Sequence, residues 1–398
     1  MSDSVLAPAD EAELAAAVAA AAASGTPLAI EGAGTKRGLL RPVQAARTLS
    51  LRGLSGITLY KPQELILQAR AGTPLPEIAA ALAEHGQHLI AEPPSLTALF
   101  GSEGAPTLGG LVATNLSGPR RISGGAMRDH VMGIRAVNGK GEVFRSGGRV
   151  LKNVTGLDLC KLLTGAHGTL GVLTEITLKV LPGPEATGTV AVAVADLAQG
   201  VQVLSAGLGS PYGVSAAALL PQGLPAGWAG LDGPQAVLRL EDFAESVAYR
   251  GGRLRAELAG FGAVHWLEGE ASRALWEAVR EAEPLSAEPE DAVWRVSVAP
   301  GEGPQVVADA GCPKSLLDWG GGLVWLAGPA TEAQHDAVMA AAAAAGGTFT
   351  LFRAPEALRA AVAVLPAEPP ALAAIGARVK AVMDPAGILN PGRMRAGL

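Results

Sequence analysis

Hydrophobic and polar positions along this chain follow two periods, and the places where one gives way to the other mark its elements. Over residues 171–180, Ile176, Leu178 and Val180 alternate with Glu175, Thr177 and Lys179, which predicts a strand with one buried face. Residues 134–137 and 142–145 flank Asn138-Gly139-Lys140-Gly141, a sequence suited to a β-hairpin turn. Near the start, Asp10-Glu11-Ala12-Glu13 places an acceptor at a helix N-cap and a carboxylate three residues on. The Ala-rich run 14–23 continues that helix to Ser24-Gly25, and residues 27–30 and 65–70 read as short strands. Thr73 and Pro74 predict a second helix start, as N-cap and N1, with Gly86 closing it.

Leu181-Pro182-Gly183-Pro184 breaks the pattern. Beyond it, strands at 190–194, 236–240, 293–298 and 323–327 are interleaved with helices at 253–259, 272–281 and 332–345, and residues 375–394 hold a helix and a turn. The expected fold class is α+β: a first domain over 1–183, a second over 184–374 with helices on one side of a sheet, and a tail over 375–398.

Composition narrows the chemistry. With 398 residues, 49% hydrophobic and 17% charged, the chain can bury a large core, which excludes global disorder. A net charge of -6 argues against a protein that coats nucleic acid or anionic lipid. The apolar runs 14–23 and 337–345 fall short of the about 20 residues that span a bilayer, and no basic leader precedes them. A cytoplasmic protein is expected, reaching a membrane only through partners. Cys160 and Cys312 are too few to hold an iron-sulfur cluster or a thiolate zinc site.

Four segments carry candidate chemistry. Glu31-Gly32-Ala33-Gly34-Thr35-Lys36 follows a strand and lets main chain approach a phosphate. Its glycines do not fit G-x-G-x-x-G, it is not a Walker A motif, and alone it reads as a plain tight turn. The run from Thr107 to Gly118, with Gly109, Gly110, Asn115 and Ser117, reads as a loop wrapping a cofactor or as a plain Gly-rich connection. Arg128 and Asp129 lie in a turn before the strand at 134. Finally, Lys152 to Val172 predicts a short helix and a turn in which Gly165, Gly168 and Gly171 recur every third residue, leaving a bare side for a flat ring.

In their order, these four segments resemble the FAD-binding domain of the vanillyl-alcohol oxidase / p-cresol methylhydroxylase family, and Met383-Asp384-Pro385-Ala386-Gly387-Ile388-Leu389-Asn390-Pro391-Gly392-Arg393 resembles that family's C-terminal signature. Within the family the chain is most similar to the smaller, FAD-binding subunits of glycolate oxidase. The resemblance implies a PCMH-type FAD domain of two subdomains over 1–183, a cap domain, and a tail returning to the flavin. It implies that Glu31, Gly32, Ala33, Gly34, Thr35 and Lys36 hold the pyrophosphate, with Thr107, Gly109, Gly110, Asn115, Ser117 and Gly118 along the dinucleotide. Arg128 and Asp129 would stand near the cofactor, and Gly168, Gly171 and Val172 at its far end. FAD would be noncovalent, because Thr35 and Lys36 stand where some relatives carry a tethering His. His85 and His88 read as edge residues at a helix end.

The implied activity is oxidation of glycolate to glyoxylate within a complex containing a larger FAD-containing subunit and an iron-sulfur subunit. Residues 186–374 hold only His265 and His335, without the His-rich stretch of catalytic relatives, and His265 beside Trp266 reads as structural. No metal site and no catalytic base is selected. Arg239, Arg250 and Arg353 are candidate cations for a substrate carboxylate. A self-sufficient dehydrogenase of another hydroxy acid or alcohol, and a flavin-free scaffold, are the alternatives.

Overall fold

The structure, a computed structural model, describes residues 5–148, 156–223 and 233–397. Lys152 to Thr155 and Trp228 lie outside the described residues. The first helix, Glu11–Ser24, starts as expected: the Asp10 carboxylate accepts from the Glu13 N–H at 2.9 Å, and Gly25 ends the helix at φ 62. A parallel three-stranded sheet sets Arg47–Ser50 between Val5–Leu6 and Leu28–Glu31.

Beside it lies a five-stranded antiparallel sheet in the order Ile57–Lys61, Ile66–Arg70, Val172–Lys179, Val131–Val137, Val143–Gly147. The Asn138 hairpin forms as predicted, with the Asn138 side chain accepting from the Lys140 and Glu142 N–H groups. The strand Val172–Lys179 departs from its predicted single buried face. Thr174 and Thr177 are buried too, and Thr174 donates to Glu11 of the first helix at 2.6 Å.

Two local expectations are corrected. Thr73 is not an N-cap: its hydroxyl is occupied by Arg70 and Gly56, and the helix Leu75–Ala83 starts after Pro74. Residues 107–118 are not a loop throughout, since Leu108–Thr114 is a helix capped by the Thr107 hydroxyl. Gly109 sits in it because a Cβ there would lie 2.8 Å from the Ala71 Cβ, so close packing decides against propensity.

The second half is an eight-stranded sheet in the order Val264–Glu268, Ala186–Ala193, Gln235–Asp242, Ala216–Leu220, Lys314–Asp318, Leu323–Gly328, Ala292–Ser297, Thr348–Arg353. Its alternation sorts the two faces. On Gln235–Asp242, Leu238 meets Gly207 of the helix Leu197–Gly209, whereas Arg239 and Glu241 point to Glu92 and Arg120 of the first half. On Ala292–Ser297, Trp294 donates to His335 of the helix Glu332–Ala344, and Arg295 faces away from that helix toward Trp319 and Phe352. Helices therefore cover one face, as the sequence pattern predicts, and the other face is turned to the first half.

His265 lies on an outer strand rather than in a core position, paired with Ala191. Leu39, Leu40, Leu96, Leu99 and Leu116 belong to the same hydrophobic cluster as the large sheet, so apolar packing runs continuously across the seam. The tail returns to the start of the chain. Leu28 N–H donates to Ile388, Asn390 N–H donates to Leu28, and Asp384 caps Ile388 and Leu389. The helix Pro370–Met383 that leads into it leaves Leu372, Ile375 and Val382 exposed. Among the described residues, no helix is long and apolar enough to cross a membrane.

Candidate functional site

The strand Leu28–Glu31 runs into the turn Gly32 to Lys36, and this turn floors a cavity of about 570 Å³. Gly34 takes φ 72, a left-handed conformation that costs other residues strain. Gly32 is needed for a different reason: a Cβ there would sit 2.0 Å from the Thr107 hydroxyl. Thr107 and Gly110, at the N-terminus of Leu108–Thr114, bring hydroxyl and main-chain donors to the same wall.

Glu31, Gly32, Ala33, Gly34, Thr35, Lys36, Thr107 and Gly110 thus line one cavity, as the sequence suggests. The remaining sequence candidates do not line it. Gly109 is packed on Ala71, and Gly118 on the Glu92 carbonyl and the Arg280 stem. Asn115 and Ser117 act one layer out, accepting from the Arg128 and Met127 N–H groups. Arg128 and Asp129 are exposed, Asp129 accepting from Ala126. The sides of Gly165, Gly168 and Gly171 are not bare; Asn115, Asn390 and Leu163 fill them. Val172 is fully buried in its strand.

Sequence reasoning missed part of the lining: His167, Glu356, Arg359, and the individual roles of Asn390 and Arg393 within the tail motif. Asn390 is a clip. Its amide oxygen accepts from Ile30 N–H at 2.7 Å and its nitrogen donates to the His167 carbonyl at 2.8 Å. Arg393 is partly buried and donates to the carbonyls of Lys36, Arg37 and Arg41, fixing the far end of the turn. Burial pulls His167 down to about 3, so its ring is neutral at physiological pH.

The cavity is cationic. Lys36, Arg37, Arg47, Arg359 and Arg393 line it against Glu31 and Glu356, and Glu31 is already paired with Arg37. Among the described residues, the Lys36 ammonium has no hydrogen-bond partner, and burial pulls it down to about 8. Main-chain donors, an unpaired cation, and apolar Ala29, Ile30 and Val43 fit a molecule that joins a diphosphate to flat rings.

None of the three cations expected for substrate is spare. Arg239 is forked by Glu92 at 2.8 and 2.9 Å, Arg250 holds Asp242 and the Tyr212 carbonyl, and Arg353 donates to the carbonyls of Leu99, Glu288 and Asp291. Arg120 is forked by Glu241, completing a buried cluster across the seam. Its two arginines hold Glu92 down to about 2. His88, on a short strand rather than at a helix end, is kept neutral beside this cluster by burial, which pulls it to about 4.

The FAD binding domain family matches residues 2–147. Over 374 residues the chain is 36% identical to glycolate oxidase subunit GlcE of Escherichia coli (strain K12), a match covering 94% of each protein. The chain belongs to the GlcE family. Glycolate oxidase subunit GlcD of Bacillus subtilis (strain 168) is 28% identical over 190 residues, 48% of this chain and 39% of that protein. A D-lactate dehydrogenase of Archaeoglobus fulgidus is 30% identical over 179 residues, 45% of this chain and 38% of that protein. In fold, 4-ethylphenol oxidase from Gulosibacter chungangensis superposes with a TM-score of 0.70 at 14% identity, covering 99% of this chain and 89% of that one. Alkyldihydroxyacetonephosphate synthase gives 0.70 at 16% identity, covering 97% and 76%. This GlcE-family chain therefore has the PCMH-type FAD-binding fold, takes FAD as its cofactor, and belongs among the FAD-dependent oxidoreductases.

Its turn gives a first prediction. Gly32→Ala forces the Thr107 hydroxyl aside and removes the cap it gives Gly110, so FAD affinity falls at least about tenfold and stability by about 1 kcal/mol. Thr107→Ala in the same chain restores most of the affinity. Flavin fluorescence titration and denaturant unfolding read the two effects.

Proposed function

We propose that this chain is the FAD-binding subunit of a glycolate oxidase complex that converts glycolate to glyoxylate and passes electrons to an iron-sulfur partner, alongside a larger FAD-containing subunit. End-to-end similarity to the Escherichia coli subunit, joined to a cationic cavity built by the same residues that carry the sequence motif, supports this reading most directly. Two free cysteines, Cys160 and Cys312, leave the cluster to another chain. The three engaged arginines favour a subunit of a complex over a self-sufficient dehydrogenase.

Bound in this cavity, FAD supplies the acceptor for the hydride of a hydroxy-acid α-carbon. The Gly32 to Gly34 main chain lets a diphosphate approach, the Lys36 ammonium balances its charge, and Arg393 with Asn390 holds the turn in place. No side chain forms a bond to the cofactor in this reading. We assign the division into an FAD domain over 1–183, a cap over 184–374 and a returning tail to this function as well. Co-expression with the two partner subunits tests the whole: the complex carries flavin in this chain, releases it on acid precipitation, and bleaches with glycolate. A colourless chain inside an active complex overturns the reading.

Lys36 makes cofactor binding pH-dependent. The free protein holds this group near 8, and a bound diphosphate stabilises the charged form and raises its pKa. Affinity is therefore full below pH 8 and falls above it, by up to about tenfold per pH unit until the raised pKa is passed. Lys36→Met flattens that profile in a fluorescence titration between pH 6 and 10.

A further inference from the structure

A 14-residue helix is marginal in water by itself, and helices in proteins draw most of their stability from packing an apolar face. The other Ala-rich helices follow this rule. Glu11–Ser24 buries Leu14, Val18 and Ala21, and Glu332–Ala344 buries Val338, Ala341 and Ala342. Pro370–Met383 buries none of its residues. Leu372, Ile375 and Val382 are 57%, 48% and 68% exposed, and Val379 is half-buried. Their spacing of three, four and three sets all four on one stripe of the helix.

The helix is pinned rather than packed. At its end, Lys380 donates to the carbonyls of Thr169 and Leu389 and to Asp384, and the Met383 carbonyl accepts from Gly139 N–H at 2.8 Å. Ahead of its start, Arg395 holds Glu368 at 3.0 Å and the Pro366 carbonyl at 2.9 Å. A rod fixed at both ends is ordered before any partner arrives, which lowers the entropic cost of binding. Its charge is one-sided. The helix contains no carboxylate, and Lys380 is engaged by the tail. Arg378 is exposed, with no carboxylate bonded to it among the described residues, on a chain of net charge -6.

We propose that Pro370–Met383 seats the stripe of Leu372, Ile375 and Val382 in an apolar groove of a different protein chain, with a carboxylate on the rim of the groove meeting Arg378. A second copy of this chain fits poorly as the occupant. Two of these helices offer each other at most 14 residues a side, against about 20–30 in a standard interface, and bring cations without a carboxylate to the contact. A groove encloses a helix and takes its anchors at the three-and-four spacing found here. Lying on a membrane surface calls for a polar face rich in Lys and Arg, which one free arginine does not make. That the groove belongs to one of the two partner subunits rests on the proposed complex; the exposed stripe does not.

Titration of the full-length FAD-loaded chain with the purified larger flavoprotein subunit and with the purified iron-sulfur subunit tests it. Wild type binds one of them, with a Kd that rises with salt. Leu372→Glu combined with Ile375→Glu keeps good helix formers, removes two anchors and repels an acidic rim, so that Kd rises at least about 100-fold. Arg378→Glu raises Kd about tenfold and reverses the effect of salt. Flavin absorbance and Tm of the free chain stay at wild-type values in both variants, because these side chains are exposed. The proposal is overturned if the double variant binds as tightly as wild type, if sedimentation shows wild type pairing with itself through this helix, or if vesicles of phosphatidylcholine and phosphatidylglycerol hold it there instead. Binding to neither subunit sinks this proposal and the proposed complex together, whereas assembly that survives the double variant sinks the docking helix alone.

Discussion

Replacing Glu92 with Ala is expected to lower folding stability by about 3–5 kcal/mol, the usual cost of stranding a buried arginine. Arg239, 2% exposed, loses both bonds of its fork, and Arg120 loses a carboxylate 3.6 Å from its guanidinium as well as the acceptor of its backbone N–H. Glu241 already serves Arg120 and lies 3.3 Å from Arg239, so it cannot replace Glu92 in full. The double variant Glu92→Leu with Arg239→Met removes both charges and recovers most of the loss, because well-packed apolar pairs match buried ion pairs in stability.

The pH dependence distinguishes this cause from simple loss of packing. The carboxyl of Glu92 is held near 2 in the folded protein, against an ordinary value near 4.5. Its stabilising effect is complete above pH 4.5 and is lost as pH falls toward 2. Urea unfolding of wild type and Glu92→Ala should therefore differ most at neutral pH and converge in acid. A constant gap from pH 7 to pH 3 would count against the ion-pair account.

The second large effect falls on the cofactor. Arg393→Ala leaves the carbonyls of Lys36, Arg37 and Arg41 without their shared donor and frees the turn that floors the cavity. Hydrogen bonds from a charged donor contribute about 1.5–3 kcal/mol each, so a loss of one or two in effect weakens FAD binding about 100-fold. Arg393→Lys is expected to recover only part, since one ammonium cannot span three carbonyls. Equilibrium dialysis of flavin measures both variants. Affinity within threefold of wild type for Arg393→Ala would show that the turn holds its shape alone.

Local chemistry made much of the fold readable. The Asp10 cap, the Asn138 turn and the alternating strand through Ile176 each rest on neighbours in sequence. The helix Leu108–Thr114 was hidden because two glycines in seven residues look like a loop until Ala71 is seen pressing on one of them. Thr73 offered the right residue type for a cap and uses its hydroxyl elsewhere. In the site, the Gly32 to Lys36 turn was legible only through the order of the four Gly-rich segments, since its glycines alone read as a tight turn, whereas Arg359 is not legible at all, since it comes from a helix more than 300 residues away and binds the Leu40 carbonyl. The bare glycine sides read from Gly165, Gly168 and Gly171 exist to admit Asn115, Asn390 and Leu163. A missing Cβ tells that something approaches closely, but not whether it is ligand or protein.

The clip made by Asn390 between Ile30 and His167 also sets an order of events in the cell. The strand that ends at Glu31 waits for a residue 360 positions beyond Ile30 before its pocket has a wall. Flavin capture is expected to follow synthesis of Asn390, and a chain cut just before that residue should fold over most of its length yet bind FAD weakly.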